Sequence, residues 1–385
     1  MRILWTSNYS SFSGYSNQAQ LFVPRIQAAG HHVVVFELAN GKRRPRQIGN
    51  VHVLPGGLDP LGSDIIEAHT VQSRAHAVIT LVDVWGMNKD VMKRTPWFPI
   101  TPVDTLPIAP KVKDHLHSAI RPIAMSQYGV QELKKAGFEP LYIPHGVDPQ
   151  VWHPQDKARA RHELNIPQDT YFVSFVGVND SIPSRKGLPE LLMAWQVFSQ
   201  EHPTARLYLH TTPTGNLPVN NAGGVDIPKI MDTLGIDKNT VQFPDAYRYA
   251  NGIPAKHLAM IAAASDVLIL PSRGEGFGLP ALEFQRVGCP VILNNFTTGP
   301  ELCFSGWLLE GEPEWSWQNA SVQKPGILSI IEALGYALQE RDNPARKAQA
   351  IARAQEYDID WVMAKYALPV LQQIGEMVLD RVKVA

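Results

Sequence analysis

Residues 266–283 read Asp266-Val267-Leu268-Ile269-Leu270-Pro271-Ser272-Arg273-Gly274-Glu275-Gly276-Phe277-Gly278-Leu279-Pro280-Ala281-Leu282-Glu283. The order is strand, glycine-rich turn, helix. Val267 to Leu270 form a short apolar run with β-branched members and a proline after it, which suits a buried parallel strand. Gly274, Gly276 and Gly278 permit tight backbone geometry and close approach of a ligand. Pro280 fits the first turn of a helix, where its missing N–H costs nothing. Ala281 to Arg286 continue that helix, Gly288 ends it, and Pro290 opens the next strand, Val291-Ile292-Leu293.

This geometry has a chemical consequence. The unpaired N–H groups and the dipole at a helix start attract a phosphate. Glu275 precedes the helix and Glu283 lies one to two turns inside it. A carboxylate beside an anion site is suited to accept hydrogen bonds from hydroxyls rather than to bind the anion. Two such acceptors flanking one anion site suit a diphosphate with hydroxyl-bearing groups on both sides, which describes a nucleotide sugar. The competing reading makes Glu275 a turn residue and Glu283 a solvated helix residue.

The segment Glu275-Gly-Phe-Gly-Leu-Pro-Ala-Leu-Glu283 resembles the signature of the retaining family 4 glycosyltransferases, the group 1 transferases that include glycogen synthase and mannosyltransferase-like enzymes. In that signature two glutamates are separated by seven residues and followed by Gly-x-Pro-Val, here Gly288-Cys289-Pro290-Val291. The resemblance implies an α/β GT-B fold, two Rossmann-like domains facing each other across a cleft. It implies an N-terminal acceptor domain over 1–150, a C-terminal donor domain over 151–360, and a tail helix near 361–385 returning to the first. It also implies a nucleotide-diphosphate sugar donor, UDP- or GDP-linked, and retention at the anomeric carbon. Glu283 is expected on ribose hydroxyls and Glu275 on sugar hydroxyls. The backbone at Gly276, Phe277, Gly278 and Leu279 is expected on the phosphates.

Composition sets outer bounds. At 385 residues the chain is long for one domain and comfortable for two. Hydrophobic content of 44% against 18% charged residues supports a large core and argues against disorder. A net charge of −1 argues against a surface that binds nucleic acid non-specifically, without excluding a local basic patch. The two cysteines, Cys289 and Cys303, read as free thiols of a reducing compartment. With no targeting segment and no apolar run long enough to span a bilayer, the expectation is a cytoplasmic protein, able to lie at a membrane surface.

In the first half, Arg2-Ile3-Leu4-Trp5 opens a strand, a polar loop runs to Gln18, a helix spans Gln18 to Ala29, and His31 to Phe36 is a second strand. That βαβ unit predicts a parallel sheet. The family's loop after the first strand borders the phosphates, and Gly14 is its available glycine here. Lys42, Arg43, Arg44 and Arg46 form the one dense basic cluster. It reads as a solvated loop or as contact with an anionic acceptor, such as a lipid-linked phosphate or nucleic acid. Residues 51–64 give a short strand and a Gly/Pro turn, 77–84 a further strand, 97–104 another strand with its exit loop, and 121–124 the last strand of this half. Ligands meet open α/β sheets at the carboxyl ends of strands, so Asp83, Asp104 and Ser126 stand out. In the resembling family the strand before Asp104 ends in a histidine near the reacting carbon. Asp104 would take its place, orienting a hydroxyl and accepting a proton, or it caps the next turn. Tyr142 to Pro149 resembles the family's crossing between domains.

In the second half, Phe172 to Gly177 is a strand and Asn179 to Gly187 a loop carrying Arg185 and Lys186. The family places an Arg and a Lys there. Fixed cations stabilise the negative charge that appears on a leaving diphosphate, so no metal is required. Leu188 to Ser199 is an amphipathic helix. The donor base is expected near 243–247, and Thr298 and Gly299 in the loop 295–301 are expected near the diphosphate or sugar. Trp315 and Trp317 read as a packing lid. The expected function is a metal-independent hexosyltransferase acting on an acceptor hydroxyl. Rivals are a GT-B epimerase or phosphorylase, and a non-catalytic nucleotide-sugar sensor. The acceptor stays open among glycan, lipid, small metabolite and modified nucleic-acid base.

Overall fold

The computed structural model describes residues 1–38, 44–215 and 223–384. Two compact units divide the chain. The first holds Met1–Asp148, Ser316–Ala320 and Tyr357–Ala385, and the second Pro149–Trp315 and Ser321–Glu356.

The first unit is built on an eight-stranded sheet. Its strands are β1 (Arg2–Ser7), β2 (His32–Glu37), β3 (Arg46–Ile48), β4 (Val51–Leu54), β5 (Ala77–Leu81), β6 (Trp97–Thr101), β7 (Ile123–Ala124) and β8 (Leu141–Tyr142). Their order is β3-β4-β2-β1-β5-β6-β7-β8, and every neighbouring pair is parallel except β3 with β4. Central strands carry apolar residues at nearly every position because helices cover both faces of a parallel sheet. In β1 the five residues after Arg2 are all buried. Leu4 pairs with Val34 on one side and Val78 on the other, and all three enter the core with Phe36 and Trp97.

The helix after β1 spans Gly14–Ala28, four residues earlier than the apolar pattern indicates. Ser13 causes the early start: its side chain accepts the Ser16 N–H at 3.2 Å and so caps the first turn. Gln18 is buried and clamps Gly146, donating to its carbonyl at 2.8 Å and accepting its N–H at 3.0 Å. Val147 then accepts the Ile359 N–H at 2.8 Å and donates to Tyr357 O at 3.0 Å, which fixes the returning C-terminal segment on this unit. Leu141–Tyr142 adds an eighth strand just where the crossing segment expected over Tyr142 to Pro149 begins; two residues show no periodicity that sequence could reveal.

Of the basic cluster, Lys42 and Arg43 lie outside the described residues. Arg44 is exposed. Arg46 is not a solvated cation: it lies on β3 and pairs with the buried carboxylate of Glu37, which also accepts the Ser10 N–H at 2.8 Å.

The second unit carries six parallel strands, β9 (Tyr171–Val176), β10 (Ala205–His210), β11 (Val241–Gln242), β12 (Val267–Leu270), β13 (Val291–Asn294) and β14 (Gly306–Leu309). Their order is β11-β10-β9-β12-β13-β14. The chain runs outward from β9 to β11, then returns to place β12 on the other side of β9. That reversal is the switch point at which open α/β sheets bind ligands. The loops following β9 and β12 therefore meet at the carboxyl edge of the sheet. Asp266, at the entrance to β12, is structural. It accepts Arg161 Nη2 at 2.8 Å and the Phe172 N–H at 2.7 Å, and it pairs with Lys157.

The hairpin after β14 escaped sequence reading, as did β3 and β14 themselves. β15 (Gly311–Trp315) and β16 (Ser321–Pro325) form an antiparallel hairpin. Its tip, Ser316–Ala320, belongs to the first unit, where Ala320 is fully buried. The lid expected of Trp315 and Trp317 is at most half seen. Both are about seven-tenths exposed, at 69% and 71%, and Trp317 meets Trp85 edge-on at 5.8 Å.

Candidate functional site

The stretch read first folds as its residues dictate. β12 is buried throughout, and the chain then turns through Pro271–Gly278 into a helix over Leu279–Val287. Gly278 caps this helix at φ +102°, a left-handed conformation that a side chain disfavours, and Gly288 ends it at the same φ. Pro280 has no N–H to offer, and the Ala281 N–H returns to Gly278 O at 3.0 Å. The N–H groups of Gly278 and Leu279 thus form the open end of the helix dipole.

The loop after β13 braces this turn. Thr297 holds φ +48°, rare for a β-branched residue, and its Oγ1 accepts the Glu275 N–H at 3.0 Å. Thr298 Oγ1 donates to Phe277 O at 2.6 Å and also reaches Glu275 O at 3.3 Å. Asn294 Nδ2 donates to Ser272 O at 3.0 Å. Gly299 has no room for a side chain, because an added Cβ would lie 1.9 Å from Asn294 O. Its own N–H is spent on Phe296 O at 3.0 Å. A small hollow results, lined by Glu275, Phe277, Gly278, Phe296, Thr298 and Gly299 among others.

The loop after β9 delivers the cations. Lys186 Nζ donates to Glu275 Oε1, and Arg185 Nη1 lies 3.9 Å from Glu275 Oε2. Burial alone would raise the Glu275 carboxyl. The charges of Lys186 and Arg185 outweigh it and hold the group below the usual carboxylate range. Burial, then the neighbouring Arg185, holds the Lys186 ammonium below its usual value against the pull of Glu275. Glu283 differs sharply. It has no hydrogen-bond partner among the described residues, and burial pushes its carboxyl up to about 8. One unit thus presents two cations, one carboxylate held ionised beside them, and a second carboxyl that burial keeps largely protonated near neutral pH.

Arg185, Lys186, Glu275, Gly276, Phe277, Gly278, Leu279, Glu283, Thr298 and Gly299 all belong to the second unit. Gly14 and Asp104 belong to the first. There Gly14 is the exposed first residue of its helix. Asp104 is partly buried on the exit loop of β6. It sits close enough to Tyr128 that its charge adds to burial and to Glu132 in raising that phenol. On the adjoining strand exits, Asp83 accepts the Tyr15 hydroxyl at 3.3 Å, and Ser126 caps the helix Gln127–Lys135 by accepting the Gly129 N–H at 3.0 Å.

Sequence reading passed over Arg273 and Thr297. Arg273 is 6% exposed and pairs with Glu190 and Glu314, which lie 83 and 41 residues away along the chain. Nothing local could announce those partners. The only sequence signal was an arginine placed between a buried strand and a glycine turn.

Gly187 gives a direct test of the local geometry. At φ +67° an added Cβ would lie 2.2 Å from Pro271 O, whereas Gly235, with the same φ, has open space there. Gly187→Ala is expected to destabilise the protein by about 1–3 kcal/mol. Gly235→Ala should cost less, and thermal unfolding of the two variants measures the difference.

Two parallel Rossmann-like sheets, the second with its glycine-rich turn at the switch point, define a GT-B protein. The fold recurs over the full length of solved structures. Sucrose-phosphate synthase from Thermosynechococcus elongatus matches with a TM-score of 0.73 at 18% identity, covering 100% of both chains. Anabaena Alr3699/HepE in complex with UDP-glucose matches with a TM-score of 0.68 at 18% identity, covering 99% of this chain and 100% of that one. Residues 171–320 match the family model described as glycosyl transferases group 1. Among curated relatives, the D-inositol 3-phosphate glycosyltransferase of Stackebrandtia nassauensis is 32% identical over 46% of this chain and 39% of its own length. That of Acidothermus cellulolyticus is 32% identical over 51% of this chain and 44% of its own length. The matched region thus spans about two fifths of those relatives.

Proposed function

We propose that the protein transfers a hexose from a nucleotide-diphosphate sugar to an acceptor hydroxyl, with retention of anomeric configuration. The observation that carries this reading is the pairing of Lys186 and Arg185 with Glu275 at the open end of the Leu279–Val287 helix. A diphosphate placed at that helix end meets the dipole and two cations. Glu275 then serves the sugar hydroxyls and Glu283 the ribose hydroxyls. As the sugar–phosphate bond breaks, charge grows on the leaving diphosphate, and Arg185 and Lys186 stabilise it without a metal. UDP-glucose is the first donor to try, since a protein of the same fold holds it. A small phosphorylated polyol or sugar is the acceptor class that the relatives favour, and Arg44 with its basic neighbours in sequence suits such an anion. The Thr298–Gly299 loop, in the same unit as Glu275, would support the diphosphate or the sugar.

The test is release of nucleoside diphosphate in the presence of an acceptor panel led by inositol phosphate and hexose phosphates. NMR of the product should show the donor's own anomeric configuration, and a chelator should leave the rate unchanged. Asp104 carries a separate prediction. If it takes up or orients a hydroxyl proton, Asp104→Asn lowers turnover by about 10²–10⁴-fold with unchanged donor affinity. Full turnover in that variant would limit Asp104 to a structural role.

A further inference from the structure

The loop that carries Arg185 and Lys186 is exposed along its near side, where Val178 and Ile182 are 45% and 72% accessible. Its far end is fastened to the segment just before Glu275. The Arg273 N–H donates to Arg185 O at 2.8 Å, and Arg273 Nη1 donates to Ser184 O. The remaining guanidinium nitrogens are also engaged: Nη2 donates to Glu190 Oε1 at 2.8 Å and Nε to Glu314 Oε2 at 2.6 Å. Glu190 stands in the first turn of the helix Leu188–Glu201, and Glu314 on β15. The Arg273 carbonyl accepts the Gln323 N–H from β16 at 3.0 Å. Gly187 is pressed against Pro271 O from the same loop.

A buried cation between carboxylates is a weak source of stability, because desolvation offsets the attraction. What such a cluster can supply is fixed geometry. The planar fork of arginine reaches three separate acceptors in set directions, which an ammonium cannot copy. Resting on the function proposed above, we propose that Arg273 is a positioning residue. It holds the backbone of Ser184 and Arg185 so that Arg185 and Lys186 stay aimed at the donor's diphosphate, while Glu190 and Glu314 lock its own side chain. The same three-residue segment, Arg273–Glu275, then fixes the cations through Arg273 and presents their carboxylate partner through Glu275.

The test uses the full chain and the variant Arg273→Lys, which keeps the charge and loses the fork. Without ligand, amide hydrogen exchange across 181–188 is expected to quicken by about tenfold or more, with β10 unchanged. Exchange as slow as in the wild type overturns the proposal whether or not any nucleotide binds. With ligand, affinity for UDP and GDP is expected to fall about tenfold or more, while affinity for uridine and guanosine holds. In a Lys186→Met background the further loss should largely vanish. Equal losses for nucleotide and nucleoside would mean a general structural role and also overturn it. Should Arg273→Lys fail to fold, Glu314→Gln removes a single arm from a more exposed position and should show the same pattern at smaller amplitude. Wild-type protein that binds neither nucleotide removes the proposed function and the diphosphate role with it. The exchange result alone then decides whether Arg273 holds the loop.

Discussion

Replacing Lys186 with methionine is expected to lower turnover by about 10²–10³-fold, with a smaller loss in donor affinity. The reason lies in when the charge appears. On the function proposed above, a diphosphate already carries negative charge in the ground state, and Arg185 and the helix end would share its binding. In the transition state the bridging oxygen gains charge, and the Lys186 ammonium, paired with Glu275 in the free protein, would be the group to meet it. The variant also leaves the partly buried Glu275 carboxylate without its hydrogen-bonded cation, with Arg185 at 3.9 Å as the remaining charge. The Glu275 carboxyl should then titrate higher than in the wild type, since Lys186 and Arg185 are what hold it down against burial. Steady-state kinetics resolves kcat from KM, and a pH–rate profile reads the displaced Glu275. Equal loss in binding and turnover would mean that Lys186 holds the donor without helping bond cleavage.

Glu283→Gln is expected to weaken nucleotide binding by about 10–100-fold, the usual loss when a charged acceptor of hydrogen bonds is made neutral. The pH dependence identifies the cause. In the free protein the Glu283 carboxyl sits at about 8 because burial disfavours its charge. Ribose hydroxyls donate to a carboxylate, so bound nucleotide favours the ionised form and lowers that value. Binding therefore releases a proton near neutral pH, and wild-type affinity rises with pH until about 8 and then levels. The glutamine variant should show no such slope. Stability has the opposite sign. A folded-state value above the ordinary glutamate range contributes stability that is full below that range and is lost as pH rises through about 8. The variant should keep its thermal midpoint at pH 9 better than the wild type does. Calorimetry in buffers of different ionisation enthalpy measures the proton released.

Much of the site was legible because its chemistry is local in sequence. Residues 266–288 contain their own strand pattern, turn glycines, N1 proline and C-terminal glycine, and each of these decides backbone geometry within a few residues. Lys186-Gly187 was legible for the same reason. Thr297 and Arg273 were not. Thr297 acts through a left-handed backbone that its residue type disfavours, so propensity points away from it. Arg273 acts through Glu190 and Glu314, partners that only the folded sheet brings near. The helix after β1 began early because one serine cap outweighed a run of polar residues that showed no apolar face. The hairpin Gly311–Pro325 was missed because its strands are half exposed and rich in Glu, Gln and Lys, with no hydrophobic alternation to mark them. Arg46 shows the reverse error: four cations in five residues look like a solvated patch, yet one of them is spent on the buried Glu37.

The most direct measurement is calorimetric titration of UDP-, ADP- and GDP-glucose into the wild-type protein and into the Glu275→Ala, Glu283→Ala double variant. A site formed by the Leu279–Val287 helix end and its two flanking glutamates predicts that the wild type selects one of these donors and that the double variant binds it at least about a hundredfold more weakly. Binding of equal strength by both proteins, or of none by the wild type, would contradict the assignment of this turn as the donor site.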